Sequence, residues 1–239
     1  MTELAVQQKL FGHGIRIVNS ERRWNRIHKN LPIYPEYYDQ TCYYLDALYA
    51  TLLQYKPQYI IEIGTHDGLG STSVFERYFR ENRPDGHLVT LDVVPCKNLK
   101  NFCHVDQVIV APHHSRIAET CGANGSWFKQ DDLILYPDHK NSIDKNINIV
   151  SQKMRELNID KFDIAFIDGD HERESFLADI QICKSILTDP GIMIIDDTKE
   201  ELHPCCHVYQ NEIKNSEEYI CYDYDNWNVF VGMSIIRKR

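Results

Sequence analysis

Residues 59–73 read Tyr-Ile-Ile-Glu-Ile-Gly-Thr-His-Asp-Gly-Leu-Gly-Ser-Thr-Ser, and the other predicted elements are placed relative to them. Residues 58–63 are rich in β-branched and aromatic side chains and stop at a glycine cluster, after which an amphipathic segment begins. This pattern predicts a buried strand, a tight loop and a helix. In an open α/β sheet, such a corner is where nucleotides bind.

The spacing of the glycines distinguishes between kinds of nucleotide. A dinucleotide fingerprint has the spacing G-x-G-x-x-G, and its second glycine lets the backbone approach a pyrophosphate. The glycines here are Gly64, Gly68 and Gly70, and His66 stands where that second glycine would be. A pyrophosphate would therefore fit poorly. An alternative is a plain strand-to-helix turn in which the glycines only provide positive φ.

The pattern Glu62-x-Gly64-x-x-x-Gly68-x-Gly70 resembles motif I of the class I S-adenosylmethionine-dependent methyltransferases. In that family the loop passes under the methionine and ribose parts of the cofactor. The resemblance implies S-adenosylmethionine as cofactor and a contact surface made of Glu62, Gly64, Thr65, His66, Gly68, Gly70 and Ser71.

Composition limits the classes of function. The chain has 239 residues, 43% of them hydrophobic, which suits one α/β domain with some elaboration. A formal net charge of −9 disfavours a nucleic-acid partner. Residues 1–10 lack the pattern of a signal peptide, and no apolar run is long enough to span a bilayer. We therefore expect a cytoplasmic protein without a membrane partner, whose eight cysteines are mostly reduced.

The remaining elements follow from periodicity and turn signals. Residues 1–55 are expected to form a helical or lid segment, which could also be an oligomer contact, and 56–239 the catalytic domain. Helices are predicted over 36–54, 71–80, 176–187 and 208–214. Strands are predicted over 58–63, 87–93, 147–150, 162–167, 192–195, 218–224 and 228–237, with extra strands over 105–111 and 131–136. Residues 95–146 are interpreted as an insertion after strand two, bordering the site or a partner surface.

Two further cofactor contacts are predicted from strand ends. Asp92 ends the second strand, where a carboxylate can accept hydrogen bonds from two ribose hydroxyls. It could instead be a simple turn residue. Ser151 and Gln152 follow the predicted strand at 147–150, where an adenine could be hydrogen-bonded.

Carboxylates follow the strands predicted over 162–167 and 192–195. We expect these strands to be neighbours, which brings Asp168, Asp196 and Asp197 together at the edge where α/β sheets bind ligands. Three clustered carboxylates repel one another unless a hard divalent cation such as Mg²⁺ neutralises them. The alternative is that these residues are helix N-caps or loop acids.

Residues 162–171, Phe-Asp-Ile-Ala-Phe-Ile-Asp-Gly-Asp-His, and 191–198, Gly-Ile-Met-Ile-Ile-Asp-Asp-Thr, make the resemblance more specific. They resemble the metal-dependent class I O-methyltransferases of the catechol and caffeoyl-CoA type, and more closely the macrocin O-methyltransferase and cephalosporin hydroxylase-like group. The resemblance implies a Rossmann-like, mostly parallel seven-stranded sheet with helices on both faces. It also implies that Asp168, Asp196 and Asp197 hold Mg²⁺ and that Asp168 lies in the catalytic and cofactor site.

The catechol type has a lysine base three residues after its first metal aspartate, and this chain has His171 there. An imidazole can act as a base near pH 7 without a shifted pKa, although His171 could instead cap the next helix. We therefore expect a Mg²⁺-dependent methyl transfer from S-adenosylmethionine to a hydroxyl of a small diol, either a sugar or a catechol-like molecule. The alternatives are a metal-dependent hydroxylase-like enzyme on the same fold and a non-catalytic cofactor-binding subunit.

Overall fold

A computed structural model describes residues 41–113, 141–199, 203–223 and 232–239. The helices are α1 (Thr41–Tyr55), α2 (Ser71–Asn82), α3 (Ser142–Leu157), α4 (Arg173–Ile186) and α5 (Pro204–Val208), and α5 continues as one π-helical turn, Tyr209–Ile213. A short 3₁₀ helix covers Lys97–Asn101. The strands are β1 (Tyr59–Ile63), β2 (His87–Asp92), β3 (Val105–Ile109), β4 (Phe162–Ile167), β5 (Leu187–Asp196), β6 (Tyr219–Asp223) and β7 (Met233–Lys238).

The strands form one seven-stranded sheet in the order β3-β2-β1-β4-β5-β7-β6. The first five strands pair in parallel, whereas β7 runs antiparallel to β5 and β6. This arrangement confirms the predicted mostly parallel α/β sheet. Because the chain passes from β1 outward to β3 and then returns to β4 beside β1, the strand order reverses at β1 and β4. Ligands bind at such a reversal in open α/β sheets.

One predicted strand is wrong. Residues 147–150 lie in the middle of helix α3, and the third strand of the sheet is β3, within the extra strand predicted over 105–111. The proposed insertion over 95–146 therefore includes the regular elements β3 and the start of α3. The predicted strand over 131–136 and the segment 1–40 lie outside the described residues.

Helices cover both faces of the sheet. Ile60 of β1 packs with α1 and α2 on one face, while its neighbour Ile61 packs with α3, α4 and α5 on the other. The alternation follows from the two-residue period of a strand. Phe75 of α2 meets Phe166 of β4 edge to face, with ring centroids 5.7 Å apart. Both faces of the central strands are thus closed, which leaves the strand ends as the accessible edge.

The boundaries have local causes. Helix α1 ends at Tyr55, just before Lys56-Pro57, because proline cannot continue a helix hydrogen-bond pattern. Strand β5 begins at Leu187, earlier than the predicted Ile192, and pairs there with Phe162. Within the described ranges, no helix has the length and apolar composition needed to cross a bilayer.

Candidate active site

The sheet register places four predicted site residues in one row. Ile63 of β1 pairs with Leu91 of β2 and with Ile167 of β4, and Ile167 pairs with Ile195 of β5. The next residues along these strands are Gly64, Asp92, Asp168 and Asp196. All four therefore lie at the carboxyl edge, around the point where the strand order reverses.

Gly64 brings the loop after β1 against the loop after β4. Its φ of +97° is rarely adopted by residues with a side chain, and a Cβ there would lie 1.9 Å from the backbone oxygen of Asp168. Gly68 also has a positive φ, of +74°. Gly70 differs, because its φ is −85° and a Cβ there would meet no atom within 4 Å. The backbone at Gly70 therefore borders open space, which suits a ligand passing over the loop.

Glu62 is a buried anchor at the end of the glycine loop, where helix α2 begins. Its side chain is fully buried and accepts hydrogen bonds from the hydroxyls of Ser71, Thr72 and Thr90, at 2.6–2.7 Å. Burial raises the pKa of Glu62 from 4.5 to about 7, although the three hydroxyls act in the opposite direction. The hydroxyl of Thr65 joins the same network through Thr90, at 2.8 Å. The predicted cofactor residues Glu62, Thr65 and Ser71 thus have a structural task, and their direct contact with cofactor stays a prediction.

Asp92 fixes the upper side of the same loop. Its Oδ2 accepts hydrogen bonds from the backbone N–H groups of Thr65, at 3.1 Å, and His66, at 2.9 Å, and its Oδ1 accepts one from Val94. His66 itself has a positive φ of 49°. Asp92 therefore holds the loop in place beside the position predicted for the ribose.

Ser151 is predicted as a cofactor residue because it would follow a strand, and that strand is not formed. It lies inside α3 and does not follow a strand. Its contact with adenine stays a prediction without the strand that suggested it.

Asp168, Asp196 and Asp197 come together after β4 and β5. Each can offer a carboxylate oxygen, and these oxygens lie within 4.8 Å of one another. Burial and the neighbouring negative charges raise the pKa of Asp196 well above its usual range, and burial is also the main cause that raises the pKa of Asp168. A divalent cation bound among these hard oxygens would remove their repulsion, so the donor set fits Mg²⁺.

His171 faces the same carboxylates. Its Nε2 lies 2.7 Å from Asp197 Oδ2 and 3.8 Å from Asp168 Oδ1. Burial lowers the pKa of His171, but the carboxylates of Asp168 and Asp197 outweigh burial and raise it to about 11. The expectation of an unshifted imidazole is therefore wrong for the chain without a bound cation. The helix-cap alternative is also not seen, because α4 begins after Glu172 and Ser175 bonds to Asp170.

The sequence interpretation missed a buried cluster beneath the loop after β4. His113 lies 2.7 Å from the Ser142 hydroxyl through Nδ1 and 3.0 Å from Asp179 Oδ1 through Nε2. Asp179 in turn lies against Gly169, where a Cβ would be 2.9 Å from Oδ2. These residues are far apart in the chain, so no spacing in the sequence signals the cluster. It supports the backbone next to Asp168.

An open parallel sheet, a glycine loop at its point of reversal and carboxylates on the adjacent strand end define a nucleotide- or cofactor-binding α/β domain. Residues 61–198 match the family described as "Methyltransferase domain". The match covers more than half of the chain, so the chain belongs to this family. A search of curated proteins gives no match to it.

Solved structures show the same fold at low sequence identity. A putative O-methyltransferase from Klebsiella pneumoniae has a TM-score of 0.53 and 15% identity, over 98% of this chain and 96% of that one. The O-methyltransferase TomG from Streptomyces achromogenes, in complex with SAM, has a TM-score of 0.50 and 10% identity, over 98% and 94%. The SAH-bound methyltransferase PaMTH1 from Podospora anserina has a TM-score of 0.50 and 13% identity, over 99% and 94%.

Proposed function

We propose that this methyltransferase transfers the methyl group of S-adenosylmethionine to a hydroxyl of a small diol acceptor, a sugar or a catechol-like molecule, with the help of a divalent cation. One observation carries the proposal. The loop that would bear the cofactor touches the loop that would bear the cation, since Gly64 lies against the Asp168 backbone. Structures similar in fold include an O-methyltransferase in complex with SAM and a methyltransferase with SAH bound, which supports the choice of cofactor.

The chain's own groups then have distinct tasks. Asp92 holds the loop from 64 to 70 through the backbone amides of Thr65 and His66, and Glu62 holds the start of α2, directly after that loop, through the Ser71 hydroxyl. Asp168, Asp196 and Asp197 would hold Mg²⁺ through oxygens within 4.8 Å of one another. When bound, the cation would act as a Lewis acid that lowers the pKa of the acceptor hydroxyl, and the cofactor would supply an electrophilic methyl group.

His171 is the proposed base, under one condition. Without a cation its Nε2 holds a proton against Asp197, because the carboxylates raise its pKa to about 11. With a cation held by Asp168 and Asp197, those carboxylates would no longer retain the proton on His171. His171 would then be able to accept a proton from the acceptor, so metal binding and base function would be coupled in this site.

The experiment is methyl transfer from radiolabelled S-adenosylmethionine to a panel of catechols and sugar diols, with Mg²⁺ or with a strong chelator. We expect transfer with Mg²⁺ alone and none with the chelator. Asp196→Asn should abolish the Mg²⁺-dependent transfer, because it removes one charge from the oxygen set, while its matched control Asp160→Asn, at an exposed position, should not. Full activity in the chelator would refute the metal mechanism.

The hydroxylase-like alternative requires a redox-active metal and oxygen, so transfer with Mg²⁺ alone decides against it. The alternative of a non-catalytic subunit predicts loss of metal binding with retained partner binding. The assembled carboxylates favour the catalytic proposal over it.

A further inference from the structure

The carboxylates of Asp168, Asp196 and Asp197 form one group of possible metal ligands, called the oxygen set. Next to it, the described residues contain a second group of metal-ligating side chains, called the histidine set, which consists of His171, Asp197 and His203. One ligand atom from each lies within 4.8 Å of the others. The closest pair, His171 Nε2 and Asp197 Oδ2, is separated by 2.7 Å. Two ligands bound at about 2.1 Å in adjacent positions of one ion are about 3 Å apart, so this pair needs little movement to share a metal.

Three separate segments hold these side chains in place. His171 follows β4, Asp197 follows β5, and His203 comes directly before α5. The backbone N–H of Cys205 donates to the carbonyl of His171, at 2.9 Å, which ties the start of α5 to the loop after β4. The Gln210 amide donates to the carbonyl of Thr198, at 2.8 Å, and so ties the helical segment to the loop after β5.

The imidazole rings of His171 and His203 lie close together and are tilted with respect to each other. Their centroids are 4.4 Å apart, with the ring planes at 49° to each other. Asp197 is buried, with 7% of its surface exposed, while His171 and His203 are partly accessible. The group therefore has a buried carboxylate at its base and an accessible side on which other ligands can bind.

We propose that His171, Asp197 and His203 form a binding site for a borderline divalent transition-metal ion, such as Fe²⁺, Co²⁺ or Zn²⁺. Imidazole nitrogens are suitable ligands for these ions, whereas Mg²⁺ prefers oxygen ligands to histidine. Two histidines and one carboxylate with open positions are a donor set that such ions occupy in other proteins. The bound ion would take the place of the 2.7 Å contact between His171 Nε2 and Asp197 Oδ2.

This inference shares two residues with the proposed function: Asp197, which belongs to both groups of ligands, and His171, the proposed base. One carboxylate cannot serve two separate ions in the two sets without cost, so Mg²⁺ and a transition metal should compete. An ion in the histidine set also occupies His171. That ion should therefore inhibit the Mg²⁺-dependent transfer, in which His171 acts as the base.

The test is a calorimetric titration of the full chain with Co²⁺ and, in a separate experiment, with Mg²⁺. Proton NMR of the Co²⁺ form gives an independent measurement, because imidazole N–H signals of metal-bound histidines are paramagnetically shifted. We expect shifted signals from two histidines in the wild type. In His203→Ala, Co²⁺ affinity should fall at least about tenfold, a loss that even outer-shell changes cause at metal sites, while Mg²⁺ affinity stays unchanged.

Two variants separate the donor sets and control for folding. Asp168→Asn should lower Mg²⁺ affinity and keep both shifted imidazole signals. His207→Ala removes an exposed histidine from the same helix α5 and should bind both ions as the wild type does. His203 is partly exposed and lies directly before α5, outside the hydrophobic core, so His203→Ala should retain the fold.

Co²⁺ binding without shifted imidazole signals, or with unchanged affinity in His203→Ala, would overturn the inference and leave the proposed Mg²⁺ site standing. Histidine-dependent Co²⁺ binding in a chain that does not bind Mg²⁺ would support the inference and contradict the proposed function.

Discussion

Replacement of Glu62 by Gln should change how the stability of this protein depends on pH. Glu62 has no exposed surface, and burial raises its pKa from 4.5 to about 7. In the unfolded chain the carboxyl returns to its ordinary value, so the folded state binds this proton more tightly. The resulting stabilisation is fully present below about pH 4.5 and is lost as the pH rises through about 7.

The size of this loss follows from the shift. At about 1.4 kcal/mol per pKa unit, the difference corresponds to about 3 kcal/mol of unfolding free energy between pH 4.5 and 7.5. The glutamine side chain in Glu62→Gln cannot ionise, but its amide can still form hydrogen bonds with the surrounding hydroxyls. Its stability relative to wild type should therefore rise by about 3 kcal/mol over that range, whatever the absolute cost of the substitution.

Urea unfolding of wild type and Glu62→Gln at several pH values measures this difference. Taking the difference between the two proteins removes the contribution of every other titrating group. Glu217→Gln, at an exposed position, is the control and should show a flat difference. A flat difference for Glu62→Gln as well would mean that Glu62 titrates normally and would refute its role as a buried anchor of the loop.

Three further predictions concern the glycine loop and the carboxylate of Asp92 that holds it. Gly64→Ala should lower the melting temperature by several degrees, because the new Cβ would meet a backbone oxygen at 1.9 Å in a left-handed conformation; thermal unfolding equal to wild type would contradict this packing. Gly70→Ala is its matched partner and should melt like wild type while binding S-adenosylmethionine more weakly, because its Cβ points into open space. Asp92→Ala should weaken S-adenosylmethionine binding, because it releases the loop amides of Thr65 and His66 and removes the predicted hydrogen bonds to the ribose hydroxyls, worth about 1.5–3 kcal/mol each. Equal affinity by calorimetry would remove Asp92 from the site.

The start of the fold could be predicted from the sequence because local and long-range signals agree there. Strand β1 and helix α2 appear where the run of β-branched residues and the amphipathic segment place them. The meeting of Asp168 with Asp196 was also predictable. Both residues directly follow hydrophobic strands, and the parallel register aligns the strand ends.

The strand predicted over 147–150 is wrong because this short β-branched run is part of a longer segment with helical periodicity. Ile143, Ile147, Val150 and Met154 recur at three- and four-residue intervals and pack against the same core cluster, as one face of a helix does. Tertiary context decided between the two patterns, since the strand position next to β2 was already filled by β3.

The histidine set could not be predicted because its members meet only through the path of the chain. His203 reaches His171 through the hydrogen bond that docks the start of α5 on the loop after β4. The engagement of Asp92 with loop amides was missed for a similar reason. A strand-end carboxylate is visible in a sequence, but the backbone groups to which it points are not.

Calorimetric titration of the full chain with S-adenosylmethionine, and in parallel with NAD, is the measurement that most directly tests the proposed function. A loop with His66 in place of a second glycine and open space at Gly70 should bind S-adenosylmethionine and disfavour a pyrophosphate. We therefore predict binding of S-adenosylmethionine at one site, weakened in Gly70→Ala. Tighter binding of NAD, or no binding of S-adenosylmethionine by the folded chain, would contradict the proposed function.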